Sequence, residues 1–193
     1  MQLAHYLFFA FALLACFSTF SSADESCLSG AQLVPNPIPK KPKACLQLNY
    51  GSRQVEAGEE MELDQNDLLA LLSTAPSVTW DSKKDATLYT LIMSDPDAPS
   101  RQNSQAAEWL HWLLINIPAN ALSQGKELMT YAGPTPPPGT GFHRYVLSVY
   151  VQKGEVESDE IGDRKLFSTK TFLESHGLDE TPAAAIFFQA KQG

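Results

Sequence analysis

Three segments gather chemically useful side chains within a short stretch of chain: DPDAPSR at 95–101, EWLHW at 108–112 and GPTPPPGTGFHRY at 133–145. They carry carboxylates at Asp95 and Asp97, imidazoles at His111 and His143, a phenol at Tyr145, and a loop stiffened by proline and glycine. Imidazole and phenol exchange hydrogen bonds with the oxygens of a small ligand, and a rigid loop keeps its backbone N–H groups aimed in fixed directions. The chemistry that follows is binding of a small anion, with a phosphate-bearing head group as the natural candidate. Asp95, His111 and His143 also have the composition of a two-histidine, one-carboxylate metal set, and two histidines beside an acid can support hydrolysis. No HExxH or G-x-S-x-G segment accompanies them. The preferred reading is therefore binding without catalysis, with no catalytic residue, metal ligand or cofactor assigned.

Something must bring these segments together, and the chain between them reads as short apolar stretches separated by turn residues, without internal repeats. That pattern predicts a mainly β domain with short peripheral helices. The expected strands cover 44–50, 77–81, 87–94, 108–117, 142–152 and 184–189. Helices are expected over 64–72, where Leu68, Leu69 and Leu72 share a face, and over 169–176, entered by Ser168 and closed by Gly177. Alternate residues of a strand face the same way, so His111 should share a side with Trp109 and Leu113, and His143 with Tyr145, Leu147 and Val149. Both histidines stand near strand starts, and Asp95 and Asp97 follow directly from the apolar run LYTLIMS. If those strands are neighbours, at least one carboxylate and both imidazoles emerge at one rim. Either histidine taken singly is equally well read as a satisfied structural residue.

The chain of 193 residues, 44% of them hydrophobic, suffices for one buried core. Fourteen Lys and Arg stand against 22 Asp and Glu, a net charge of −8. Nucleic acid is thereby disfavoured as a partner, membrane contact is at most peripheral, and any anion site has to be local. Residues 1–23 are apolar from Leu3 to Phe20 apart from His5, Ser18 and Thr19, and end in Ser21-Ser22-Ala23. They read as a secretory signal peptide, although no Lys or Arg precedes the apolar run; a signal anchor and a lipoprotein box ending at Cys16 are the lesser alternatives. The expected mature protein is extracellular, with a Pro-rich arm over 24–43 and a domain over 44–193. It keeps Cys27 and Cys45, an even pair that suggests a disulfide in an oxidising compartment, two free thiols being the alternative. That bridge would pin an arm with little apolar side chain to bury. Lys40, Lys41 and Lys43 read as a solvated face, and no Asn-x-Ser/Thr acceptor occurs.

Taken jointly, DPDAPSR, the EW-x-H-W segment and the GTGFHRY ending resemble, in order and spacing, the two signature regions of the phosphatidylethanolamine-binding protein (PEBP) family, which includes Raf kinase inhibitor proteins. Weaker similarity runs from about Ala44 to Gln189. The resemblance implies a large antiparallel sheet packed on a smaller one, peripheral helices and an exposed anion pocket. It implies a pocket of Asp95, His111, His143 and Tyr145, walled by Pro99, Trp109 and the 133–141 loop with Gly133 and Thr135. Asp97, Ser100 and Arg101 would hold the neighbouring loop, with the Ala98–Pro99 bond expected cis. Two departures stand out. Thr135 occupies a place where the family often has glycine, which would exclude a positive φ there. The chain also stops soon after AAIFFQAK, where a C-terminal helix borders the pocket in animal intracellular members. The implied partners are phosphorylated head groups or small anions. The competing reading is an extracellular regulator acting through protein contacts, such as a serine protease inhibitor, or a small-molecule or odorant carrier.

Overall fold

The computed structural model describes residues 25–64, 72–82 and 88–193. The leader expected over 1–23, and all but the ends of the helix expected over 64–72, lie outside the described residues. The strands are β1 Gln47–Tyr50, β2 Arg53–Val55, β3 Glu60–Leu63, β4 Ser77–Thr79, β5 Leu88–Asp95, β6 Trp109–Pro118, β7 Lys126–Met129, β8 His143–Gln152 and β9 Ala184–Gln192; the helix α1 spans Thr169–Ser175. They form a small sheet in the order β2-β1-β4 and a large one in the order β3-β9-β8-β5-β6-β7. The large sheet is antiparallel except at one edge, where β3 runs parallel to β9.

The run LYTLIM is apolar but for Thr90, whose hydroxyl donates to Gln152 Oε1, because β5 lies mid-sheet and is covered on both faces. Tyr89, Leu91 and Met93 pack with Leu48, Tyr50, Val78 and Trp80 of the small sheet. Ile92 faces the other way, into a cluster with Leu113, Tyr150, Phe172 and Leu173 that seats α1. Ser168 caps that helix, its hydroxyl accepting from the Thr171 N–H, and Gly177 at φ 63° ends it. Burying Phe172 and Leu173 contributes about 1.5–3 kcal/mol each, more than seven residues of helix propensity could supply alone.

The arm departs from expectation. Cys27 and Cys45 are joined by a disulfide, but Leu33 and Ile38 are also fully buried against Val146, Ala185 and Phe187. The three prolines between 35 and 39 fold the arm back on itself, so two separated apolar residues reach the same patch of the large sheet.

Candidate functional site

Strand direction explains why the chemistry converges. β5 runs antiparallel to both β6 and β8, so its last residue, Asp95, lies beside the first residues of each: Asp95 pairs with Trp109, and Ser94 with Val146. A carboxylate at the end of one strand thereby meets imidazoles at the beginnings of its two neighbours. Met93 stands opposite Trp112 and Ser94 opposite Leu110, which leaves His111 as the extra residue of a β-bulge. The bulge breaks the period of two. His111 turns its ring edge-on to Tyr145, centroids 5.1 Å apart, whereas Leu113 joins the helix-side cluster. The expectation that His111 and Leu113 share a face is thus corrected. The β8 expectation needs no correction, since Tyr145, Leu147 and Val149 all point into the inter-sheet core.

Between these strand ends lies a cavity of about 370 Å³, and its lining includes Asp95, Pro99, Trp109, His111, Thr135, His143 and Tyr145. Pro136 and Pro137 of the expected 133–141 wall also line it, and the structure adds Ala98, Ala106 and Lys165. Gly133 is not part of the lining. A Cβ at Gly133 would stand 2.2 Å from the Leu72 carbonyl oxygen, so the glycine permits close passage of two backbones behind the site. Thr135 is not among the residues of positive φ, and the conflict expected from its side chain does not arise. Among residues 134–138 only Thr135 has an N–H to give, because the others are proline. The loop supplies shape and apolar wall rather than an array of backbone donors.

The imidazoles at the cavity have defined partners. His143 Nδ1 donates to Asp95 Oδ2 at 2.8 Å, and its Nε2 lies 2.9 Å from Thr140 Oγ1. Thr140 Oγ1 also lies 2.6 Å from the Pro137 carbonyl oxygen. With both bonds made, neither ring nitrogen is free. His143 therefore ties the 133–141 loop to Asp95. His111 Nδ1 donates to the Ala132 carbonyl at 2.7 Å, which leaves Nε2 as the imidazole nitrogen available to a ligand. Burial pushes the His111 pKa down, with the Ala132 carbonyl and the Asp95 charge opposing. Burial likewise drives the Tyr145 pKa upward, assisted by Asp95 and Asp97, so the phenol stays an O–H donor at neutral pH.

The loop after β5 is held by a second constellation. Asp97 Oδ2 accepts from the Arg144 backbone N–H at 2.9 Å and from Arg144 Nε at 2.8 Å, and Oδ1 accepts from Nη2 at 2.5 Å. Arg101 Nε adds a bond to Oδ2 at 3.3 Å, and the Asp97 N–H donates to Asp95 Oδ1 at 2.7 Å. Ser100 Oγ accepts from the Asn103 N–H, and the Ala98–Pro99 bond is cis. Burial raises the Asp97 pKa, but the bonds from Arg144 outweigh it and the carboxyl ends below its ordinary value. The sequence does not single out Arg144, Thr140 or Lys165 for these roles. Arg144 was legible in part, since parity along β8 turns it away from His143 and Tyr145 toward whatever supports them. The sequence marks Glu108 only as a strand start, but it is buried and accepts from Ser94 Oγ, Thr169 N–H and Thr169 Oγ1, joining β5 to α1. Burial raises its pKa against those bonds.

Known proteins share this fold. CG7054, known from a solution structure, is 34% identical over 82% of this chain and 90% of its own, with a TM-score of 0.64. A carboxypeptidase Y inhibitor solved with its cognate proteinase is 24% identical over 80% of this chain and 86% of its own, at a TM-score of 0.67. A phosphatidylethanolamine-binding protein from Plasmodium vivax is 18% identical over 86% of this chain and 96% of its own, at a TM-score of 0.69. At those identities the last two share the fold alone. The family model "PBP: Phosphatidylethanolamine-binding protein" matches residues 51–188, a span that contains all three site segments; the chain belongs to the phosphatidylethanolamine-binding protein family.

Proposed function

We propose that this protein is an extracellular binding module for small phosphate-bearing ligands of the phosphoethanolamine type. The observation that carries the reading is the polarity of the cavity: one end has Asp95 and the uncommitted His111 Nε2, which can accept from an ammonium, and the rim has the Lys165 cation. The Tyr145 O–H is a further donor for phosphate oxygens, its oxygen accepting from the Thr135 backbone N–H. Pro99, Trp109, Pro136 and Pro137 exclude water around them, which strengthens each of these interactions. Asp97, Ser100 and Arg101 act on the ligand only through the loop they hold. The apolar leader over 1–23 and the Cys27–Cys45 disulfide support the extracellular setting. Among the described residues no helix is long and apolar enough to cross a membrane.

Calorimetric titration with phosphoethanolamine tests the reading, in metal-free buffer with and without zinc. Wild type should bind without metal, and His111→Ala should abolish the heat. Absence of binding in every condition would overturn the head-group reading. A second reading, a protease inhibitor acting through protein contacts, draws on the inhibitor that shares the fold. It predicts stoichiometric loss of carboxypeptidase activity on titration with this protein, whether or not the cavity is occupied.

A further inference from the structure

At the bulge that turns His111 into the cavity, a side chain from outside the sheet holds the backbone. Arg164 Nη1 donates to the carbonyls of Leu110 at 2.9 Å and His111 at 3.0 Å. Consecutive carbonyls of a regular strand point to opposite sides, so one nitrogen reaches both only because the extra residue of the bulge breaks that alternation. The other nitrogen, Nη2, donates to Thr130 O at 2.8 Å and to Thr130 Oγ1 at 3.2 Å. Thr130 belongs to the segment after β7 that carries Ala132, and Ala132 makes two bonds with His111. Its N–H donates to the His111 carbonyl at 2.9 Å, and its own carbonyl accepts from His111 Nδ1 at 2.7 Å. The guanidinium therefore holds both the residue that donates and the segment that accepts. Arg164 is itself anchored: its carbonyl accepts from the Leu110 N–H at 2.7 Å, and Phe167 and Glu108 exchange bonds at 3.0 and 3.2 Å.

We propose that Arg164 is a positioning residue of the ligand site, acting through His111 by holding the imidazole as its Nδ1–H tautomer with Nε2 as the acceptor in the cavity; the proposal rests on the head-group reading above. The tautomer of a histidine is set by the bond that its other nitrogen makes. A carbonyl can only accept, so the Ala132 bond requires the proton on Nδ1. If the bulge and the Thr130 segment part, that bond lengthens and the proton is free to move to Nε2. The acceptor that faces a ligand ammonium then becomes a donor. Holding the two segments together takes the planar fork of a guanidinium, whose four bonds an ammonium on a flexible stem does not reproduce. The charges around His111 act in the same direction as the geometry. Burial disfavours the imidazolium most and the Arg164 and His143 charges add to it, while the Ala132 carbonyl and Asp95 oppose. The Tyr145 ring against His111 stays neutral.

The test pairs calorimetric titration with phosphoethanolamine and nitrogen NMR of the isotope-labelled histidine rings, above the ordinary histidine pKa of about 6.5. Wild type should show His111 protonated at Nδ1 and bare at Nε2. Arg164→Lys, which keeps the charge, should move part of that proton to Nε2 and weaken phosphoethanolamine about ten-fold, the scale of one charge-assisted hydrogen bond. Arg164→Gln takes its place if the lysine variant does not fold. Val55→Ala, which opens a void beneath the small sheet and outside the cavity lining, should lower Tm but leave tautomer and affinity at their wild-type values. An Nε2–H tautomer in wild type, a tautomer or affinity unchanged in Arg164→Lys, or an equal loss of affinity in Val55→Ala would overturn the proposal. Binding by wild type with a tautomer indifferent to position 164 removes Arg164 and leaves the head-group reading intact. If wild type does not bind phosphoethanolamine, the head-group reading falls, and a tautomer that still shifts in Arg164→Lys keeps Arg164 as the residue that positions His111.

Discussion

Asp97→Asn should destabilise the protein without touching the cavity lining, because it removes the charge on which the supporting loop is built. The Asp97 side chain is 1% exposed and that of Arg144 only 15%, so the pair is largely shielded from water. The amide that replaces the carboxylate would offer one acceptor oxygen, and its NH2 group would face the Arg144 guanidinium donor to donor. Breaking one partner out of such a pair costs about 3 kcal/mol at the low end. In a domain of this size each kcal/mol shifts Tm by roughly 2–4 °C, so the loss at pH 7 should be about 6–12 °C. The pH dependence identifies the cause. The folded Asp97 carboxyl titrates below its unfolded value, so its stabilisation is complete above the ordinary carboxylate range, near pH 4, and is lost as pH falls through the folded pKa. Thermal melts followed by circular dichroism at pH 7 and pH 3 should show a wild-type advantage that narrows at the lower pH. An unchanged Tm at pH 7, or an equal gap at both pH values, would refute the account.

His111→Asn should flatten the pH dependence of stability in a different window. Burial depresses the folded His111 pKa, so its contribution is complete above the unfolded value of about 6.5 and is lost as pH falls from there toward the folded value, by at most about 1.4 kcal/mol per pH unit. Urea midpoints between pH 7.5 and 5 should fall more steeply for wild type; parallel slopes would count against the neutral, Ala132-bonded imidazole. The Cys27→Ser/Cys45→Ser pair opens a bridge of sequence separation 18, a loss of about 3 kcal/mol that should lower Tm by roughly 6–12 °C. A Tm indifferent to the double substitution would mean that Leu33 and Ile38 hold the arm without it.

How the site came to be legible while much of its frame did not turns on what each residue must satisfy. The central strands announce themselves because both their faces are buried: LYTLIM and YVLSVYV have to be apolar wherever they sit in the sheet. Three of the four edge strands, β2, β3 and β7, are three or four residues long and half solvated, as RQV, EMEL and KELM. A charge on the open face costs little there, so the alternation that marks a strand is too short to read. The bulge at His111 is invisible for a related reason. It is imposed by the register of β5 against β6, a relation between two segments that leaves no trace in either alone. The same distinction separates the histidines from the residues that orient them. His143 and Asp95 stand out by type at strand termini, whereas Thr140 gains its role only when the loop returns its hydroxyl to the imidazole. Arg144 and Asp97 mark the boundary between the two cases. Each is an ordinary surface residue by type, and only the antiparallel neighbouring of β5 and β8 makes them a buried pair. Residue type thus locates the chemistry of the cavity, and strand pairing decides which neighbours hold it in place.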